Sequence, residues 1–275
     1  MPMSEGTLTV ACIQNCAVKD TESGLTEATA LAREARNSGA ELICFPEFCH
    51  QLFIDGDTFE TGAAPQDSHP ALLRMQDLAR ELNVWLLVGS LAIRGDSGKD
   101  HNRSFLIDSH GTIIAHYDKI HMFDVTLGNG ETYRESARFE PGKKAVVADM
   151  PWGGIGLTVC YDLRFASLYR SLAQHGASMI TVPAAFTHTT GKAHWHVLLR
   201  SRAIETGSYI IAPCQYGTHG KARTYGHSLI VDPWGEIIAE AGEQAATIAA
   251  TLDLSRVADA RQRIPSLEHD RPFSF

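Results

Sequence analysis

GIGLTVCYDLRF (154–165) is an apolar run that stops at a cysteine and turns polar at once. It reads as a buried strand whose end, at Cys160, passes straight into a helix start over 165–175. A strand that delivers its last residue to a helix N-terminus leaves backbone N–H groups without partners, and the helix dipole there favours a thiolate. Cys160 is therefore a candidate nucleophile, although a buried cysteine by itself is more often core filler.

Outward from this stretch the chain alternates apolar strands with amphipathic segments. LTVACIQ (8–14), ELICF (41–45), VWLLVGSLAI (84–93), SFLID (104–108), TIIAHYDKI (112–120), SMITVPAA (178–185), SYIIAPCQ (208–215), HSLIVD (227–232) and EIIAEAG (236–242) read as strands. Leu25, Leu31, Ala32 and Ala35 fall at near-helical spacing before Gly39, and Leu72, Met75, Leu78, Ala79 and Leu82 mark a helix over 70–82. A further helix is expected over 193–206. SFLID and TIIAHYDKI form a hairpin around His110-Gly111, and DPWG (232–235) is turn chemistry. Strands interleaved with helices define an α/β class, and the hairpin makes the sheets mixed. With no repeat or Pro/Gly/Ser-rich linker, residues 1–275 are expected to form one domain. Residues 121–144 are polar, Gly-rich and aperiodic, and read as a long functional loop.

Composition narrows the function. Hydrophobic residues at 44% and charged residues at 20% describe an ordinary globular chain, not a disordered one. The net charge of −8 argues against nucleic acid or an anionic membrane as partner. No run approaches the roughly 18 apolar residues of a membrane span. MPMSEGTLTVACIQ has neither the basic stretch nor the apolar core of a signal peptide, so cytoplasmic, reduced cysteines are expected. The six cysteines (12, 16, 44, 49, 160, 214) form no CxxC pair.

Two more residues sit at strand ends. Glu47 in FPEF (45–48) places a carboxylate among apolar neighbours, a setting that suits proton transfer. Lys119 closes TIIAHYDKI, where a fixed ammonium can stabilise an oxyanion. Singly, Glu47 also reads as an ion pair or cap, and Lys119 as a solvated surface lysine. Jointly, FPEF, YDKIHMFD (117–124) and GIGLTVCYDLRF, in this order, resemble the nitrilase, or carbon–nitrogen hydrolase, superfamily, and the likeness spans essentially the whole chain.

The resemblance implies a four-layer α-β-β-α sandwich of two mixed sheets, with Glu47 as general base, Lys119 as oxyanion stabiliser and Cys160 as nucleophile. Glu135 in YRESARFEPG is the implied second glutamate, and the Tyr161 N–H the implied partner of the oxyanion. AAFTHTTGKAHWHVLLRSRAIETGSYIIAPCQYG (184–217) and RTYGHSLIVDPWGEII (223–238) look like the subgroup that contains deaminated glutathione amidase and ω-amidase. One departure is HWH (194–196), where that subgroup usually shows HWE. The implied reaction is hydrolysis of a small linear amide, deaminated glutathione or a related 2-oxo acid amide, through a thioester; an ω-amidase acting on α-ketoglutaramate, an N-carbamoyl amino acid hydrolase, a nitrilase or an interaction partner with residual activity are the alternatives.

Arg164 is expected to bind a substrate carboxylate, or else to pair with Asp162 or to serve packing; Tyr225 and His227 are candidate pocket residues, or else core or turn residues. No metal or other cofactor is expected. His188, His194 and His196 lack a recognisable ligand spacing, and residues two apart on a helix do not face each other. A homo-oligomer is implied, through 165–175 and 193–206. The tail from about 262 to 275 is expected to lie across the surface or against a partner subunit.

Overall fold

The computed structural model describes residues 6–55, 58–128 and 130–275. Two six-stranded sheets form its centre. The first runs Ala246–Asp253, Thr7–Gln14, Leu42–Cys44, Trp85–Arg94, Asp100–Ile107 and Ile113–Asp118. The second runs Val146–Met150, Gly153–Leu157, Ala177–Thr181, Tyr209–Ala212, Leu229–Val231 and Ile237–Glu240. Read in this order, both sheets pair their strands antiparallel, parallel, parallel, antiparallel, antiparallel. The chain therefore builds the same half twice.

Helix α1 (Thr21–Asn37) is capped by Asp20, whose carboxylate accepts from Ser23 N at 2.8 Å. Helix α2 (Pro70–Leu82) starts on a proline and ends at Asn83 in the left-handed region, φ +50°. Helices α3 (Ala166–Gln174) and α4 (His188–Thr206) follow the second sheet's strands, and α5 (Ser255–Arg263) lies near the C-terminus. Helix α4 starts five residues before its apolar spacing becomes legible, because His188–Lys192 are polar or small.

Strand Thr7–Gln14 explains the layering. Leu8, Val10 and Cys12 join a buried cluster with Ile155, Leu157, Ile211 and Leu229 of the other sheet. The Cys12 thiol reaches the Leu229 carbonyl at 4.0 Å. Ala11 and Ile13, on the opposite face, pack with Leu25, Ala28, Ala32, Met75 and Leu78 of α1 and α2. From Val10 to Ile13 the strand is buried on both faces and apolar at every position, which is why that stretch lacks polar alternation. Helices α3 and α4 pack on the second sheet, where Tyr169, Leu172, Trp195 and Leu199 are buried. The four-layer α-β-β-α sandwich is thus present.

The stretch 121–144 is not a plain loop. It contains a hairpin, Asp124–Thr126 with Thr132–Arg134, and a 3₁₀ turn, Glu135–Ala137. A second short hairpin, Phe53–Asp55 with Thr58–Glu60, and a third, Tyr216–His219 with Ala222–Tyr225, also escape the sequence reading. Each is too short for its period to show. The tail folds back on its own chain: Arg170 binds Asp270 at 2.6 Å, and Gln174 donates to the Leu267 carbonyl at 2.9 Å.

Candidate active site

Strand Gly153–Leu157 runs into a 3₁₀ turn, Cys160–Arg164. Cys160 sits at the junction with φ +49°, in the left-handed region that L-residues with a Cβ occupy at a cost of about 1–2 kcal/mol. Its N–H donates to the Pro183 carbonyl at 2.9 Å, which pins the bend to the neighbouring strand's end. Asp162 locks the turn from below. Its buried carboxylate accepts from Val159 N (2.9 Å), His121 N (3.1 Å) and the Tyr117 hydroxyl (2.7 Å).

Glu47 leaves strand Leu42–Cys44 through Phe45-Pro46, followed by Phe48 at φ +50°. This bend presses on the next strand. A Cβ added to Gly89 would stand 2.0 Å from the Phe45 carbonyl oxygen, so only glycine lets strand Trp85–Arg94 pass there. Phe48 N donates to the Ser90 carbonyl at 3.1 Å across the bulge this creates. Gln215 fixes the same bend, its Nε2 donating to the Glu47 and Phe48 carbonyls at 2.9 and 3.0 Å.

The charged groups then meet. Lys119 Nζ lies 3.1 Å from Glu47 Oε1 and 2.9 and 2.8 Å from the two Glu135 oxygens. Asn102 Nδ2 donates to Oε1 of both carboxylates, at 2.9 Å to Glu47 and 3.1 Å to Glu135. Glu47 Oε2 accepts from Ala185 N (2.9 Å), and Glu135 Oε2 from Phe123 N (2.6 Å). Burial alone would push the Lys119 ammonium towards neutrality; the carboxylates of Glu135 and Glu47 outweigh it and hold the lysine charged. Burial also raises the Glu135 carboxyl, with Lys119 opposing and Glu47 adding to the rise.

The thiol behaves differently from the sequence expectation. Burial pushes the Cys160 thiol well above its ordinary range, and the Glu47 charge and its hydrogen bond push the same way, against Lys119. A five-residue 3₁₀ turn has too little dipole to reverse this. Burial thus favours the thiol over the thiolate, and the Glu47 side chain stands beside it.

These groups form the floor of a cavity of about 710 Å³, walled by Phe48, Phe59, Tyr133, Tyr161, Phe186 and three arginines, 134, 138 and 223. Glu47, Lys119, Glu135, Cys160 and Tyr161 all reach it. Three other sequence candidates, Arg164, Tyr225 and His227, are not among the residues that line it. Asp162 faces inward, so Arg164 does not pair with it. The guanidinium instead lies behind the wall, 5.8 and 5.4 Å from the Tyr161 and Phe186 rings, with His194 Nδ1 at 3.2 Å. Tyr225 stacks on His227 at 4.4 Å, and His227 bonds Glu240 at 3.1 Å, outside the cavity. Asn102 and Gln215 were missed. Their only signal is a polar side chain placed in an apolar neighbourhood, in HNRSF and APCQ.

A four-layer sandwich that brings a thiol, two carboxylates and an ammonium to the floor of one cavity has the parts of a thiol-dependent hydrolase. A carbon–nitrogen hydrolase profile matches residues 9–262, and the chain belongs to that family, whose members hydrolyse carbon–nitrogen bonds such as amides. It is 39% identical over 266 residues to a deaminated glutathione amidase of Yersinia enterocolitica, covering 95% of this chain and 92% of the relative. It is 34% identical to the human omega-amidase NIT2, covering 90% of this chain and 89% of that one. The crystal structure of the C. elegans NitFhit protein superposes with a TM-score of 0.88 at 32% identity, covering 98% of this chain and 66% of that longer one.

Proposed function

We propose that this single catalytic domain hydrolyses the terminal amide of a small, linear, carboxylate-bearing substrate, deaminated glutathione or a related 2-oxo acid amide, with Cys160 as nucleophile. The observation that carries the reading is the shared Lys119 contact to Glu47 and Glu135 on the floor of the cavity that Cys160 also lines.

Glu47 takes the Cys160 proton as sulfur attacks the amide carbonyl carbon. The oxyanion is held by the Lys119 ammonium and the Tyr161 N–H, which opens the 3₁₀ turn Cys160–Arg164 and has no partner within it. Glu47 then gives the proton to nitrogen as the C–N bond breaks, and ammonia leaves. Water attacks the thioester, Glu47 takes its proton, and collapse expels the sulfur, which recovers that proton. Glu135 keeps Lys119 charged and oriented throughout.

Deaminated glutathione ends in carboxylates, and the cavity wall carries arginines. Arg138 pairs with Asp100 at 3.3 Å and Arg223 with Glu243 at 3.1 Å. Arg134 donates to the Tyr133 carbonyl and, among the described residues, makes no ion pair, which leaves it to meet a substrate carboxylate. Dependence on a free thiol fits a reducing compartment such as the cytoplasm. A homodimer through α4 fits the exposure of Val197 (65%) and Ile204 (53%) on that helix; light scattering of the purified chain tests it.

Ammonia release by the wild type and Cys160→Ala, across deaminated glutathione, α-ketoglutaramate, an N-carbamoyl amino acid and an aliphatic nitrile, tests the substrate. The proposal expects Cys160-dependent release, fastest with deaminated glutathione. Preference for α-ketoglutaramate moves the substrate to that of an ω-amidase, and no Cys160-dependent release removes the mechanism.

A further inference from the structure

His196, His227 and Glu240 converge from three separate segments: helix α4, the bend before strand Leu229–Val231, and the end of strand Ile237–Glu240. One nitrogen from each histidine and one oxygen of Glu240 all lie within 4.8 Å of one another. His196 Nε2 is 2.9 Å and His227 Nδ1 3.1 Å from the same oxygen, Glu240 Oε1.

The rings are held in place before any ligand arrives. Tyr225 stacks on His227 at 4.4 Å and meets His196 edge-on at 5.9 Å. His227 has φ +53°, and its carbonyl accepts from the buried Trp195 Nε1 at 2.8 Å, so its backbone is fixed in a conformation that few histidines adopt. The Glu243 carboxylate stands 3.9 Å from the far nitrogen of His227, on the side where an outer carboxylate orients a metal-bound imidazole.

We propose that His196 Nε2, His227 Nδ1 and Glu240 Oε1 form a binding site for one divalent transition-metal ion of the zinc class, with the fourth position open to solvent. A tetrahedral ion with bonds of about 2.0–2.1 Å needs ligand atoms about 3.3 Å apart. The two histidine–glutamate separations, 2.9 and 3.1 Å, fall a few tenths of an ångström short of that edge. Replacing two hydrogen bonds by coordinate bonds asks for a slight spreading of these two contacts, and the third edge, between the histidine nitrogens, starts within 4.8 Å and closes towards the same length. Two imidazoles and one carboxylate select zinc, cobalt, nickel or copper; calcium and magnesium require mostly oxygen ligands. The ion would tie α4 to the Leu229–Val231 and Ile237–Glu240 hairpin, apart from the reacting thiol.

Calorimetric titration with Zn²⁺ tests the site in the wild type and in Cys160→Ala, where the active-site thiol no longer competes for the metal. The site predicts one saturable ion in Cys160→Ala, and the same ion in the wild type beside any that the thiol takes. It predicts that His196→Gln and Glu240→Gln, each made in Cys160→Ala, bind Zn²⁺ at least about tenfold more weakly, since loss of even an outer-shell partner costs 10–100-fold. Metal-free melting temperatures within experimental error of the parent confirm that these surface variants fold. Co²⁺ substitution of Cys160→Ala should give a four-coordinate visible spectrum without sulfur charge-transfer bands. Absence of a saturable ion in Cys160→Ala, or equal affinity in the two ligand variants, would overturn the assignment.

Discussion

The Tyr117 hydroxyl donates to the Asp162 carboxylate at 2.7 Å, joining the strand that leads into Lys119 to the turn that begins at Cys160. Tyr117 lies two residues before the ammonium and Asp162 two residues after the thiol, so one bond across the two sheets sets the spacing of both. Tyr117→Phe removes one donor from a buried carboxylate, a loss of about 1.5–3 kcal/mol. We expect a lower urea midpoint and a fall in kcat with KM nearly constant. An unchanged kcat in a folded variant would mean that the bond only supports the fold.

Asn102 holds both carboxylates with one amide nitrogen. Asn102→Leu leaves two buried acceptors short of a donor, worth about 1–3 kcal/mol, and so should slow kcat by about 10–100-fold. Steady-state kinetics on any accepted amide checks this; Asn102→Asp, which adds a third carboxylate, should be slower still.

The thiol makes a prediction of opposite sign for binding and for turnover. Glu47 raises the Cys160 thiol both by charge and by hydrogen bonding, whereas Lys119 lowers it. Glu47→Gln should therefore bring the midpoint of iodoacetamide alkylation against pH down while turnover collapses, and Lys119→Met should move the midpoint up. Alkylation that follows the wild-type curve in Glu47→Gln would separate Glu47 from the thiol.

Arg134→Ala should raise KM for a carboxylate-bearing amide by about 10–100-fold, the range of a lost charged hydrogen bond, and change KM for a neutral amide far less. Equal effects on both substrates would remove Arg134 from carboxylate recognition.

Acid should unfold the chain through a buried histidine pair. His50 and His69 face each other at 5.2 Å between ring centroids and are almost wholly buried. Burial, aided for His50 by the neighbouring ring, pushes His50 down to about 3 and His69 down to about 4. Depressed values mean that the unfolded chain binds protons first. This stabilisation is complete above pH 6.5 and is lost as pH falls towards 4 and 3, about 2 kcal/mol per histidine at pH 5. Urea midpoints at pH 8 and pH 5 measure the loss, and His69→Gln should flatten the difference.

Long periodic elements were legible without coordinates: strand Thr7–Gln14 and helix α2 (Pro70–Leu82) fall within one residue of their apolar patterns. Glu47, Lys119 and Cys160 were legible because each closes an apolar run, and Glu135 through its surrounding phrase. Arg164, Tyr225 and His227 lie off the cavity lining, because neighbourhood in sequence does not fix the direction of a side chain. Arg164 is four residues from Cys160, yet one 3₁₀ turn sends it behind the rings of Tyr161 and Phe186.

The sequence by itself determined the α/β class, the family and the order of the residues that meet at the cavity floor, because burial on two faces forces unbroken apolar strands and each sheet end forces a break in them. Only the tertiary structure decided which polar groups share a hydrogen bond: Asn102 between Glu47 and Glu135, Tyr117 on Asp162, His196 and His227 on Glu240. Such contacts join residues 13 to 55 positions apart, and their energy depends on distances of about 3 Å that periodicity and spacing do not encode.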